Sequence, residues 1–138
     1  ITAHRPVTST AQLAAITAAA AGKRGRIHPA TRTLQAIRIE VNQELAVLAE
    51  VLPVAVSLLR PGGRLAVISF HSLEDRIVKT YFQAESRDCI CPPGLPVCSC
   101  GHTAQVRLVS RKAVRPGDVE LRQNPASRSA KLRVVERL

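Results

Sequence analysis

One segment of the chain, residues 58–76, predicts a helix–turn–strand–helix unit. The turn at residues 61–63 ends the first helix, because proline cannot continue a helix and glycine adopts the conformations that a helix stop needs. Residues 65–70 are apolar without alternation, which is typical of a strand buried on both faces. Ser72, with Asp75 three residues later, predicts the N-terminal cap of a second helix. Such a unit is typical of a doubly wound α/β sheet with parallel strands.

Polar residues follow the predicted strand directly. His71 and Ser72 lie just past its carboxyl end, where doubly wound sheets bind their ligands. His71 is a candidate general base, a candidate hydrogen-bond donor to the edge of a base, or a residue that orders the loop. For Ser72 and Asp75, the structural role of capping the helix is the more common one.

Two further helices are predicted ahead of this unit. Ser9 and Gln12 have the spacing of a capping box, and the helix that they begin runs to about Ala21. A longer helix begins near Pro29 and carries an apolar stripe at positions 34, 37, 41, 45, 48 and 52. We expect Pro53 to break or kink this helix.

Two polar features of this region have both a structural and a functional interpretation. The basic loop at residues 22–29 is either a solvated linker or a contact to RNA. One face of the second helix carries a polar stripe, formed by Thr31, Gln35, Arg38 and Asn42. A polar stripe is usually the hydrated side of an amphipathic helix. Because this one lacks the lysine and glutamate of a typical hydrated face, we favour ligand recognition.

The second half of the chain predicts one more helix and two more strands. The helix covers residues 73–84, and the strands cover residues 106–114 and 132–136. A polar, basic loop at residues 122–131 precedes the last strand.

The charge of the chain favours a nucleic-acid partner. Lysine and arginine number 20 against 10 acidic residues, and the net charge of +10 is spread over both halves. This distribution suits binding along a phosphate backbone, and the alternative is a merely basic soluble protein. No apolar run approaches the ~20 residues of a membrane helix, so we expect a cytoplasmic location and no membrane partner. The absence of methionine leads us to expect a fragment of a longer protein.

Four cysteines form two Cys-x-Cys steps six residues apart. They are Cys89, Cys91, Cys98 and Cys100, and a turn at residues 92–94 lies between the two steps. Four thiolates complete a tetrahedral zinc site, and cytoplasmic cysteines are usually reduced, so a structural zinc is one interpretation. The other is a loop of free thiols, or a disulfide formed on oxidation. His102 is a possible substitute ligand.

Three stretches of the chain resemble, in the right order, the signature motifs of one family. They are HPATRTLQAIRI at residues 28–39, PGGRLAVISFHSLEDR at residues 61–76 and NPASRSAKLR at residues 124–133. The family is the bacterial ribosomal RNA small-subunit methyltransferase H family, also called MraW. The resemblance covers nearly the whole chain, and three long motifs in order are highly specific.

The resemblance implies a reaction and a cofactor. Family members methylate N4 of a cytidine in 16S rRNA of the small ribosomal subunit, with S-adenosylmethionine as the methyl donor. Their cofactor-binding residues precede the region that this chain resembles, and the chain contains neither a GxGxxG nor a Walker sequence. We therefore expect no cofactor-binding residue here, and no activity from this chain alone.

The resemblance also implies a fold. It predicts the C-terminal part of a Rossmann-like class I methyltransferase sheet, together with part of an inserted helical domain. Residues 1–28 would end the inserted helical domain, which recognises the substrate. Residues 29–138 would form the C-terminal part of the methyltransferase domain, with a cysteine-rich loop at residues 88–102.

Polar residues in and near the three motifs are the candidate contacts to the RNA. A base that leaves its stack needs polar groups to hold it and basic groups to hold its backbone. By placement and polarity, the candidates are Thr31, Arg32, Arg38, Asn42, His71, Ser72, Asn124, Arg128 and Ser129. The alternative to an enzyme is a non-catalytic, zinc-clipped RNA-binding module. That alternative explains the charge and the cysteines but not the α/β unit.

Overall fold

The computed structural model describes residues 1–22, 28–92 and 97–138. The chain divides into two compact units, Ile1–Glu44 and Leu45–Leu138. The domain boundary predicted after residue 28 falls inside the first unit, and the assignment of the two domains stays a prediction. Most of the predicted basic loop, residues 23–27, lies outside the described residues.

The first unit contains a 3₁₀ turn and two α-helices that pack against each other. Helix α1 (Thr10–Ala21) begins as predicted, since Ser9 Oγ accepts a hydrogen bond of 3.1 Å from the N–H of Gln12. Helix α2 (Ala30–Asn42) follows Pro29, and its first residue, Ala30, is buried.

The long helix expected after Pro29 is interrupted ten residues earlier than predicted. Helix α2 ends at Gln43, whose φ of 53° is left-handed, and helix α3 (Glu44–Ser57) contains Pro53 in its interior. The predicted break at Pro53 is wrong, since α3 continues through this residue, whereas a kink at Pro53 stays a prediction. The hydrogen bond that Pro53 cannot donate is the one to the carbonyl of Ala49. Both residues are exposed, so this carbonyl is on a side of α3 that water can reach.

The second unit contains a three-stranded sheet of order β1-β3-β2. Strand β3 (Lys131–Arg137) lies in the centre and runs antiparallel to both β1 (Arg64–Ser69) and β2 (Val106–Leu108). The α/β class is as predicted, but the described neighbour of β1 is antiparallel and not parallel. Beyond Leu108 a single bridge joins Val114 to Leu132, so the strand predicted at residues 106–114 is regular only at its start.

One face of the sheet carries the hydrophobic core. Helix α4 (Ser72–Glu85) packs on this face. Together with α3 it contributes to a core formed by Leu52, Val56, Val78, Phe82, Val106 and Val135. On the opposite face, Ile68 of β1 is 59% exposed. The prediction that β1 is buried on both faces is therefore wrong for the described residues, which cover only one of them.

The segment that enters β3 is more ordered than the polar loop expected there. Helix α5 (Asp118–Gln123) is followed by a 3₁₀ turn (Pro125–Ser129). The buried Ser127 stabilises this turn, because its hydroxyl donates a 2.8 Å hydrogen bond to the carbonyl of Asn124. Across the described ranges, none of the helices combines the length and the apolar character needed to cross a membrane.

Candidate functional site

A reciprocal pair of contacts fixes the turn between β1 and α4. His71 caps the helix, because its Nδ1 accepts a hydrogen bond of 3.3 Å from the N–H of Glu74. In return, Glu74 Oε2 accepts hydrogen bonds from the N–H groups of His71 (3.2 Å) and Phe70 (2.9 Å). The prediction that Ser72 and Asp75 form this cap is wrong by one residue, since an imidazole nitrogen accepts from the helix as a hydroxyl does.

The capping hydrogen bond determines what the rest of the His71 ring offers. When Nδ1 accepts, the proton of a neutral imidazole resides on Nε2. Nε2 lies 3.2 Å from Glu74 Oε1, but it is buried and makes no hydrogen bond within the part of the chain that the structure describes. The nearest acceptor to Nε2 is thus the Glu74 carboxylate, and contacts at both ring nitrogens orient the imidazole at the end of β1.

A cleft of about 250 Å³ opens beside this turn. It lies between the β1–α4 turn and the segment that enters β3, and it is lined by Phe70, His71, Ser72, Arg115, Arg128, Ser129, Ala130 and Lys131. The structure therefore brings together His71, Ser72, Arg128 and Ser129, all predicted substrate contacts. The predicted contact Asn124 is exposed and does not line this cleft.

A larger, strongly basic groove of about 570 Å³ adjoins the cleft, with which it shares Arg115 and Lys131. Its lining consists of one alanine and six cationic residues, namely Lys79, Arg111, Lys112, Ala113, Arg115, Lys131 and Arg133. We call this the basic groove. The six cations come from α4, from the segment after β2 and from β3, so no single stretch of sequence revealed it. The run of basic residues at 111–115 was the one available signal.

Asp75 neutralises two of these six cations. Its Oδ1 lies 2.7 Å from Arg133 Nε, and its Oδ2 lies 2.9 Å from Lys131 Nζ. The hydrogen bond from Arg133 lowers the pKa of Asp75, with help from Lys131 and against the effect of burial. The four remaining cations, Lys79, Arg111, Lys112 and Arg115, form no ion pair with described residues and leave the groove positively charged.

The other four predicted contacts lie on α2, in the first unit. Arg38 Nε is 2.9 Å from Glu44 Oε1, and Asn42 Nδ2 donates a 3.1 Å hydrogen bond to the same oxygen. Thr31 and Arg32 are exposed in the first turn of the helix. Two of the four, Arg38 and Asn42, thus contact the carboxylate of Glu44 within the same unit.

The four cysteines form a separate cluster. Their Sγ atoms all lie within 4.8 Å of one another, and all four are free thiols. Hydrogen bonds from the backbone of Ile90 and His102 lower the pKa of the Cys100 thiol to about 6. The His102 ring does not join the cluster, because its Nε2 lies 3.1 Å from the carbonyl of Ala84. Of the turn predicted at residues 92–94, residues 93 and 94 lie outside the described residues.

Comparison with a family profile and comparison with individual proteins identify the same family. A profile of the MraW methylase family matches residues 1–138. Relatives called ribosomal RNA small subunit methyltransferase H are 58% identical in Thermomicrobium roseum, 52% in Heliobacterium modesticaldum and 48% in Clostridioides difficile. Each alignment covers 99% of this chain but only 42%, 44% and 45% of the respective relative. The chain therefore spans less than half the length of these relatives.

Proposed function

This chain belongs to the MraW methylase family, and we propose that it is part of an enzyme that methylates N4 of a cytidine in 16S rRNA. S-adenosylmethionine is the methyl donor in this proposal, and a ribosomal RNA substrate supports the proposed cytoplasmic location. The names of its relatives support ribosomal RNA of the small subunit as the substrate. Family membership also disfavours the alternative of a non-catalytic, zinc-clipped RNA-binding module.

We assign the second unit to the end of a Rossmann-like class I methyltransferase sheet. Two strands that each pair antiparallel with a central third strand are expected where such a sheet ends. Residues 1–28 are assigned to the end of an inserted helical domain that recognises the substrate, and residues 29–138 to the methyltransferase domain.

The residues of the cleft do not fit S-adenosylmethionine. The sulfonium centre of this cofactor is positively charged, whereas the cleft is lined by Arg115, Arg128 and Lys131 and by no acidic residue. Like charges at such short range repel each other. We therefore assign cofactor binding to the portion of the relatives that this chain does not span, and we derive no step of the reaction from it.

One observation carries the proposal: a cleft lined by His71, Ser72, Arg128 and Ser129 adjoins a groove lined by six cations. In this proposal the RNA backbone follows the basic groove, where Arg111, Lys112 and Arg115 neutralise its phosphates. The cytidine leaves its stack and enters the cleft, where Ser72 and Ser129 offer hydroxyl groups to the nucleotide.

His71 is the residue that we assign to the base. His71 lines the cleft, and a histidine N–H donor matches N3 of cytosine, which is an acceptor, and rejects uracil, whose N3 carries a proton. The exocyclic amine is a weak nucleophile because its lone pair is delocalised into the ring. Holding the base in one orientation is therefore the main contribution that this chain makes to the rate.

The test uses the full-length protein, radiolabelled S-adenosylmethionine and small ribosomal subunits from cells that lack the modification. We expect methyl transfer to 16S rRNA and, after nuclease digestion, N4-methylcytidine as the labelled nucleoside. Transfer to another atom or another RNA would contradict the proposal. Binding of the RNA without transfer would favour the non-catalytic module.

A pair of matched variants tests the role of the basic groove. Arg115→Ala removes a cation shared by the cleft and the groove, and Arg87→Ala removes an exposed cation that lines neither. We expect Arg115→Ala to raise the KM for ribosomal subunits several-fold and Arg87→Ala to leave it unchanged. Equal effects of the two variants would show that the net charge, and not the groove, binds the RNA.

A further inference from the structure

The four cysteines converge to the spacing of a metal site. The Sγ–Sγ distances are 3.9 Å for Cys91 and Cys98, 3.5 Å for Cys98 and Cys100, and 3.9 Å for Cys100 and Cys89. Four sulfurs placed tetrahedrally about a zinc ion at ~2.3 Å lie about 3.8 Å from one another. The sulfur atoms are too far apart to be bonded in pairs, and their spacing matches that of four ligands around one ion.

The loop that carries the cysteines has a closed base. The N–H of Gln105 donates a 2.8 Å hydrogen bond to the carbonyl of Glu85, and the N–H of Ala104 donates one of 3.2 Å to Asp88 Oδ1. The cysteines thus occupy the outer part of a segment whose two ends are joined.

The described apolar side chains in the outer part of the loop do not form a hydrophobic core. Ile90 is 51% exposed and Val97 is 76% exposed, and Cys89, Cys98 and Cys100 are exposed as well. Ordering a segment of this kind costs conformational entropy that apolar burial does not offset here. Metal binding is the interaction that stabilises such loops in small zinc sites.

The backbone around the cluster is arranged as it is around metal-bound thiolates. The N–H of Cys91 points to Cys89 Sγ at 3.4 Å, and the backbone of Ile90 and His102 is hydrogen-bonded to Cys100. Hydrogen bonds of this kind orient sulfur ligands and spread their negative charge. The four sulfur atoms surround a common centre, and among the described residues no histidine, aspartate or glutamate belongs to this cluster.

We propose that Cys89, Cys91, Cys98 and Cys100 bind one zinc ion through four thiolates. A four-cysteine tetrahedral site is closed, because it leaves no coordination position for water or substrate. The ion is therefore structural, and it holds the loop between α4 and β2 in one conformation. This inference does not depend on the proposed methylation.

The first test is the metal content of the full-length protein, produced in zinc-supplemented medium and purified without a histidine tag or a chelator. We expect one zinc per chain by mass spectrometry of the metals. Replacing zinc by cobalt should give the visible absorption of tetrahedral cobalt thiolate. Iron in place of zinc would overturn the metal assignment. Protein without metal, with four titratable thiols or with two disulfides, would overturn the site.

Variants of the loop provide the control. Cys98→Ser combined with Cys100→Ser removes two ligands and should abolish stoichiometric zinc binding. Ser99→Ala changes the residue between them, which supplies no side-chain ligand, and should retain one zinc per chain. Zinc retained by the double variant would refute the assignment. Because the wild-type metal content is decisive by itself, a double variant that fails to fold does not remove the test.

Discussion

The ion-pair cluster around Asp75 makes a contribution to stability that can be measured. Asp75 is 8% exposed, and Asp75→Asn would keep its shape while leaving Arg133 and Lys131 without their counter-ion. Removing one partner of a fully buried pair costs about 3–5 kcal/mol. The side chains of Arg133 and Lys131 retain 15% and 27% of their exposure. Since water offsets part of the loss, we expect the free energy of unfolding to fall by about 2–3 kcal/mol.

The loss should depend on pH in a defined direction. Because Arg133 and Lys131 lower the pKa of Asp75, its ionised form stabilises the fold. This stabilisation is complete above the unfolded-state pKa of about 3.9 and disappears as the pH falls through the lower native pKa. The difference between the wild type and Asp75→Asn is therefore full at pH 7 and shrinks in acid.

Urea unfolding of the full-length protein, followed by circular dichroism, measures both effects. Asp118→Asn is the control, since it makes the same chemical change at an exposed position in α5. We expect it to leave the free energy of unfolding nearly unchanged. The reasoning is refuted if both variants unfold like the wild type at pH 7, or if the deficit of Asp75→Asn is the same in acid.

Three further predictions concern His71, the basic groove and the turn between α3 and β1. His71→Asn keeps an acceptor for the N-cap of α4, but its donor group lies on a shorter side chain. Thermal stability should therefore stay near that of the wild type, while the rate of methylation falls at least tenfold. A parallel loss of stability and activity would show that His71 only caps α4. Arg111→Ala with Lys112→Ala should lower the salt dependence of RNA binding by about 1.4 units, or ~0.7 for each phosphate contact; an unchanged slope would place the RNA elsewhere. Gly62→Ala should cost about 1 kcal/mol of stability, because φ is +79° although a Cβ meets no atom within 4 Å. Thermal denaturation equal to that of the wild type would refute this.

The elements that depend on local signals were predictable from the sequence. The cap at Ser9 and helix α4 lie within one residue of their predicted positions, because hydroxyl caps and apolar periodicity act over a few residues. The interruption at Gln43 was not predictable, since glutamine gives no signal for a left-handed φ. The exposed face of β1 was also missed, because an apolar sequence does not say which part of the chain covers it.

For the candidate site, the sequence predicted the turn after β1 but not the basic residues that line the cleft. His71 and Ser72 follow a strand, and their place at the end of a sheet can be read from the sequence. Val114 forms a bridge to Leu132, and this bridge brings Arg115 beside Lys131. Both residues therefore line the cleft. That pairing joins segments far apart in the sequence, so a pattern confined to short windows does not reveal it.

The central position of β3 has a consequence for biosynthesis. Strand β3 separates β1 from β2 in the sheet, although it follows both of them in the sequence. The contacts that join it to β1 span 62 to 72 residues. During translation, β1 and β2 therefore leave the ribosome before β3, the one described strand with which each of them pairs. A ribosome that stalls before residue 131 would release a chain with two open strand edges, a preferred substrate for chaperones and proteases.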